Sequence, residues 1–329
     1  MGTHLSLWNV PLLHCTDFAN ATAARALHAG VLVLKLRVPA TWSQGDFNAC
    51  TFVLLSIPGA KVSSVHPFTA ANLWRTQAAG GGRVELELHI QLSRDRKAWT
   101  HQLLPYVREE SNLLICDNVV RPSKFTEVML RGAFRGPISC HLVAMRRRTP
   151  HCTTNRKRCL FLLSRGVGAT ATLGALRFLV HNRLSAGVGS VCVACVVSSR
   201  ATGYCDFVRG ALQEILDEWQ AGSSEDGTLN IHVIKQDSIR GVNGNTEAKA
   251  SNSVTNTAGS LSELVLFKDN EVEREVDRLY DDFCANAATH PSPMKVKLFY
   301  CGQATRFVGT RKKADHDTHD KERNVEEAV

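Results

Sequence analysis

The chain has 329 residues, long enough for two domains of ordinary size, and 44% of them are hydrophobic, typical of a protein that buries full cores. No run reaches the ~18 apolar residues that a membrane-spanning helix needs. The formal charge of +8 suits a phosphate-bearing ligand, an acidic partner or an anionic membrane face. The basic residues are too scattered for a nucleic-acid stripe, and the tightest runs, Arg146-Arg147-Arg148 and Arg156-Lys157-Arg158, read as solvated loop.

In chain order, the start Met1-Gly2-Thr3-His4-Leu5-Ser6 matches the loose N-myristoylation pattern, and one acyl chain anchors only weakly. The first half then reads as short strands. Val31–Val38, Thr51–Ile57 and Val84–Leu92 are apolar or alternating and rich in β-branched residues. Gly80-Gly81-Gly82 marks a loop between two of them. A helix is predicted across Lys97–Val107 and a further strand across Glu127–Arg131. Many short strands with one helix suggest an antiparallel barrel.

The rhythm changes after the basic, Pro-containing stretch Met145–Arg158. The apolar run Cys159–Leu163 leads into a glycine turn and a helix across Ala169–His181. Strand Val191–Val197, helix Asp206–Trp219, strand Leu229–Lys235, a long helix across Leu261–Ala285 and strand Val296–Tyr300 follow. This alternation predicts a parallel sheet covered by helices. Ser238–Ser260 is rich in Asn, Ser, Thr and Gly and reads as a flexible surface insertion. The charged tail from Lys312 onward reads as frayed.

Eleven cysteines and no signal-peptide-like apolar start predict free thiols in a reducing compartment. Cys192 and Cys195 have C-x-x-C spacing inside a predicted strand. Positions three apart on a strand face opposite ways, so a shared metal or disulfide is disfavoured there, and no metal site is expected.

Two places carry phosphate chemistry on their residues alone. Ser164-Arg165-Gly166-Val167-Gly168-Ala169-Thr170 follows a strand and opens a helix. Such a turn lets backbone N–H groups approach a pyrophosphate at the positive end of the helix dipole. Ser199 and Arg200 end the next strand, where a serine and a forked guanidinium suit a 2′-phosphate; an exposed turn arginine is the alternative.

His66-Pro67-Phe68-Thr69, Leu88–Thr100, Met129–Phe134, Leu162–Thr170 and Tyr300-Cys301-Gly302 occur in the order in which the ferric reductase and NADPH oxidase family carries its motifs. Residues 25–305 resemble the reductase region of that family. The resemblance implies a ferredoxin-NADP reductase-like fold, an antiparallel β-barrel FAD-binding domain followed by an α/β parallel-sheet nucleotide-binding domain. The expected domains are an N-terminal extension at 1–24, an FAD-binding barrel at 25–148, an NAD(P)H-binding domain at 149–312 with a flexible insertion at 238–260, and a charged tail at 313–329.

Carried over residue by residue, the resemblance puts Pro67 and Phe68 against the flavin, Thr69 near its reactive edge and His66 toward the phosphates. His89, Ile90, Trp99, Thr100, Gly132 and Phe134 complete the FAD set; an ordinary strand start and a packing aromatic are the alternatives at His66–Thr69 and Trp99. Gly166, Gly168, Thr170, Ser199, Arg200, Cys301 and Gly302 form the NADPH set. Thr170 is expected near the nicotinamide and Cys301 beside its reacting carbon, a structural cysteine being the alternative there.

Several positions depart from the family pattern. Gln91 stands where the family has a basic residue for the pyrophosphate, with Arg94 or Arg96 as substitutes. Arg135 replaces a glycine, so the turn must differ or slip to Gly136. Arg165, Ala171 and Gln303 replace a glycine and two prolines.

The implied function is electron transfer from NADPH through FAD to an acceptor: the haem of a membrane domain, ferric iron or oxygen. The expected location is the cytoplasmic face of a membrane if the chain pairs with a haem-bearing membrane domain or subunit, and otherwise the cytoplasm. Two readings stay open beside it: a non-catalytic regulatory subunit with worn cofactor sites, and a soluble flavin reductase feeding a separate electron carrier.

Overall fold

The structure is a computed structural model that describes residues 7–17, 31–38, 50–56, 65–76, 83–93, 97–100, 127–147, 158–182, 188–198, 203–222, 227–236, 250–256, 259–266, 268–289, 294–302 and 326–327. The chain divides into two compact units. One comprises Met1–Ala144 with Leu173–Leu179 and Arg200–Val208, the other Met145–Thr172, Val180–Ser199 and Arg209–Val329.

Six strands close a barrel in the first unit: β1 (Leu7–Asp17), β2 (Val31–Val38), β3 (Thr51–Ser56), β4 (His66–Thr76), β5 (Arg83–Gln91) and β6 (Glu127–Arg135), in the order β1-β2-β5-β4-β3-β6. Every pairing is antiparallel, and β1 closes the ring by pairing with both β2 and β6. Alternation builds the interior. Leu32, Leu34 and Leu36, Val53 and Leu55, Leu86, Leu88 and Ile90, and Leu130 point inward and are fully buried. Truncating one such leucine to alanine costs about 2–5 kcal/mol.

The strands expected at Val31–Val38, Thr51–Ile57 and Val84–Leu92 form with shifts of at most one residue. Leu7–Asp17 lies in the segment read from sequence as an extension; it is β1 of the barrel. The strand expected at Glu127–Arg131 runs on to Arg135 through a bulge beside Val53. The first turn of the helix expected at Lys97–Val107 is seen at Trp99 and Thr100; its remainder lies outside the described residues. Helix α1 (Pro137–Arg147), not expected from the sequence, follows β6. Pro137 is its first residue, where the missing N–H costs nothing and the fixed φ favours helix.

The second unit holds a seven-stranded sheet. Its strands are β7 (Arg158–Arg165), β8 (Val188–Ser198), β9 (Thr228–Gln236), β10 (Ala250–Asn256), β11 (Gly259–Leu266), β12 (Lys295–Cys301) and the short β13 (Glu326–Glu327). The order is β10-β11-β9-β8-β7-β12-β13, and every pairing except β10 with β11 is parallel. Six consecutive residues of β7 are buried, the mark of a strand covered on both faces. Helices α2 (Ala169–His181), α3 (Tyr204–Ala221) and α4 (Asp269–Thr289) intervene. The stripe Val272, Val276, Leu279, Phe283 and Ala287 of α4 recurs at helical spacing. It packs on Phe161, Leu163, Cys192, Ala194 and Val196.

Two expectations fail here. Leu261–Ala285 is not one helix: Gly259–Leu266 is β11, paired in parallel with β9, and α4 starts at Asp269. The Lys268 N–H donates to Glu271 Oε2 at 3.3 Å, half of a capping box, which fixes that start. Ser238–Ser260 is not wholly a flexible insertion, because Ala250–Asn256 forms β10 and residues 259–260 open β11. Residues 237–249 lie outside the described residues. No helix of the described residues is long and apolar enough to cross a membrane.

Candidate functional site

The sheet reverses direction beside β7. From β7 the chain steps to β8 and then β9, while β12 returns to the other side of β7. A crevice at the carboxyl ends of β7 and β12 is therefore the topological switch point, where open α/β sheets bind ligands. The glycine turn and Cys301-Gly302 are the residues at those two strand ends.

Gly166–Gly168 form a single 3-10 turn between β7 and α2. Gly166 has φ +60, and no atom lies within 4 Å of where its side chain would be. Its glycine is needed for the backbone conformation, and it leaves open space over the turn. Gly168 is required for a different reason: an added Cβ would lie 2.1 Å from the Cys301 carbonyl oxygen. That glycine brings the turn against β12. Gly302, with φ +154, has its own Cβ position 2.9 Å from the Arg165 carbonyl oxygen. The Thr170 hydroxyl donates to the Val167 carbonyl oxygen and ties the turn to α2. Ser164, fully buried, has an Oγ with no hydrogen-bond partner.

Cys301 ends β12 opposite Ser164, and burial pushes its thiol up to about 11. The thiol is thus protonated at neutral pH rather than a thiolate. Arg165 does not reach toward the turn. Its Nη2 donates to Gln236 Oε1 at 3.1 Å and to Asp269 Oδ1 at 2.8 Å. Ser199 and Arg200 lie outside the described residues. Cys192 and Cys195 are both buried in β8, Cys192 in the cluster under α4, and burial pushes the Cys192 thiol up to about 12.

On the barrel, the residues expected around a flavin separate into two groups. His66–Thr69 start β4 and pair with Leu55, Leu54, Val53 and Phe52 of β3. Val53 and Leu55 face the core, so His66 and Phe68 turn inward. Both rings lie against Trp99, His66 tilted at 4.4 Å between centroids and Phe68 stacked at 5.8 Å. Burial lowers the pKa of His66 from its ordinary value. Trp99 is itself buried, and its indole N–H has no acceptor. The Ser93 N–H donates to Thr100 Oγ1 at 2.9 Å.

Pro67 and Thr69 face outward, as does Phe52, which stacks on Phe134 at 5.2 Å. Gly132, with φ +126, lets the Phe134 ring lie 2.8 Å from where a side chain would be. Arg131 is a residue the motif reading missed. It faces outward beside Leu54, and its buried Nε has no partner. Its signal was the alternation of β6, in which Leu130 points inward. Arg135 is exposed at the end of β6 with no positive φ, so the strand simply continues where the family would turn.

His89 and Ile90 present no surface to a ligand. Ile90 is fully buried in the barrel interior. On the opposite face of β5, His89 is 3% exposed, with Nε2 3.0 Å from Glu87 Oε1 and Nδ1 2.9 Å from the Tyr204 hydroxyl. The Tyr204 and Phe207 rings meet it edge-on at 5.6 and 5.5 Å. Arg177 approaches Glu87 to 3.7 Å and donates to the Ala71 carbonyl oxygen at 3.2 Å. Burial alone would raise the Glu87 pKa, but the His89 hydrogen bond and the charges of His89, Arg177 and Lys35 together hold it below its ordinary value.

No protein-family model matches the chain, and no curated protein matches it. Among solved structures it is similar to ferredoxin-NADP+ reductase from Plasmodium falciparum with 2′P-AMP, at 12% identity and TM-score 0.47, over 89% of this chain and 86% of that one. It is also similar to flavohemoglobin from Malassezia yamatoensis with bound FAD and heme, at 12% identity and TM-score 0.46 over 92% of this chain. The chain spans 54% of that flavohemoglobin's length. Amycolatopsis cytochrome P450 reductase is similar at 14% identity and TM-score 0.40, over 90% of this chain and 70% of that one.

Proposed function

We propose that the chain is a flavin-dependent NAD(P)H oxidoreductase of the ferredoxin-NADP reductase type, and within it a relative of the ferric reductases and NADPH oxidases. NADPH binds the α/β unit and FAD the barrel. The single observation that carries the reading is the switch point: a glycine turn with open space at Gly166, opening α2, beside Cys301-Gly302 on the returning strand.

The cofactors supply the chemistry, a hydride from nicotinamide accepted by flavin and passed on as electrons to a haem, ferric iron or oxygen. This chain's residues bind and orient. The backbone of Gly166 and the first turn of α2 hold the pyrophosphate, and Thr170 fixes that turn. Cys301, kept neutral, sets the nicotinamide position, while Ser199 and Arg200 take the 2′-phosphate. The outward barrel residues Pro67, Thr69, Gly132 and Phe134, with Phe52 beside them, fit a planar ring, and Arg131 supplies a cation that Gln91 does not. His66, Phe68, Trp99 and Thr100 brace that surface from beneath. Where it pairs with a haem-bearing membrane domain or subunit, the chain acts at the cytoplasmic face of that membrane, and otherwise in the cytoplasm.

A second reading, a regulatory subunit that binds no flavin, is favoured by the loss of His89 and Ile90 from the flavin face and by Gln91. A flavin titration separates the two. Protein mixed with FAD and freed of excess is expected to keep flavin absorbance, and His66→Ala with Thr69→Ala is expected to lower the affinity while the barrel stays folded. Colourless protein under the same conditions supports the regulatory subunit.

A further inference from the structure

We propose that Arg165 is a further residue that favours a 2′-phosphorylated dinucleotide over its unphosphorylated counterpart, and that Asp269 is the built-in occupant of the anion site it forms. The inference rests on the dinucleotide reading of the switch point and assigns a role to a side chain that replaces a glycine of the resembled motif.

The placement follows from the alternation of β7. Phe161 and Leu163 face α4, and Arg165 continues that face to the carboxyl edge of the sheet. Its guanidinium meets Gln236, the last residue of β9. β9 lies two strands from β7, a step of about 9.5 Å, so the arginine arm crosses the carboxyl end of β8.

The donors there converge on one oxygen. Arg165 Nη2 and Gln236 Nε2 both donate to Asp269 Oδ1, at the N-terminus of α4. Two donors aimed at a single carboxylate oxygen form an anion-binding arrangement, with the carboxylate standing where a phosphate oxygen would bind. Asp269 is held loosely, since its side chain is 69% exposed and that of Arg165 only 21%. An exposed carboxylate re-solvates at little cost, so a dianionic phosphate displaces it without stranding a buried charge. The arginine is thereby kept extended over the end of β8 before the nucleotide arrives.

The test is fluorescence titration of NADPH and NADH into the parent chain, Arg165→Gln, Arg165→Lys and Asp269→Asn, with thermal melts to confirm folding. Arg165→Gln is expected to weaken NADPH binding about tenfold or more and to leave NADH nearly unchanged. Arg165→Lys keeps the charge without the fork and falls between. Asp269→Asn removes the competing anion and strengthens NADPH binding severalfold with no effect on NADH. Equal losses for both nucleotides in Arg165→Gln, no loss for either, or weaker NADPH binding in Asp269→Asn overturns the proposal and leaves the dinucleotide site standing. A folded parent chain that binds neither nucleotide overturns both.

Discussion

The barrel and the α/β unit treat their motif residues in opposite ways. On β5 the polar side chains Glu87 and His89 satisfy one another and are closed off by Tyr204, Phe207 and Arg177. At the carboxyl edge of the parallel sheet the turn at Gly166 stays open, and the Asp269 carboxylate that pairs with Arg165 is exposed. A site made of backbone survives when the topology survives. A polar side chain, by contrast, can be enclosed by a few neighbours, as His89 is.

The largest effect expected is on the close approach that shapes the open site. Gly168→Ala sets a Cβ 2.1 Å from the Cys301 carbonyl, a backbone atom that cannot swing away. Overpacking of this kind should cost about 3 kcal/mol or more, read as a fall in melting temperature. No fall would show that the turn and β12 are not in contact.

The closed site is tested next. His89→Ala leaves the Glu87 carboxylate buried without its hydrogen bond and should cost roughly 2–3 kcal/mol in a denaturant melt. Glu87 titrates below its ordinary value of 4.5 in the folded chain. Its stabilisation is therefore complete above that pH and is lost as pH falls through the lower folded value. Glu87→Gln should flatten stability against pH on the acid side of 4.5, and an unaltered acid slope would remove Glu87 from the account.

Smaller is the effect of Gly166→Ala. The new methyl meets empty space but sits at φ +60, so stability should fall by only about 1 kcal/mol, while nucleotide affinity falls further because the methyl fills the ligand's room. Comparable losses in both would make Gly166 a folding glycine only. Smallest is a difference in thiol chemistry. Cys301, raised to about 11 by burial, should alkylate far more slowly at neutral pH than the exposed Cys140, and peptide mass spectrometry reads the ratio.

Periodicity carried most of the fold. Val31–Val38 and Ala169–His181 form as their patterns predict, because an alternating run and a 3.6-residue stripe each leave one way to bury their apolar side. β11 was misread because Leu-Val-Leu-Phe continues smoothly into α4's own apolar spacing; only the pairing with β9 separates them. β1 was missed because Leu7–Asp17 carries Pro11, His14 and Asp17 among its apolar residues, so its place depends on partners far along the chain. The turn at Gly166 was legible, since glycine spacing is a local property. The fate of His89 was not, because the residues that enclose it, Tyr204 and Phe207, lie 115 and 118 positions away.

Closure by β1 has a consequence for association. A ring in which each strand is bonded on both sides offers no free row of N–H and C=O groups. Take β1 away and two raw edges appear at once, on β2 and on β6, each a template for a strand from another molecule. Leu7–Asp17 therefore act as a seal against strand addition, and a protease cut within that strand would expose both edges.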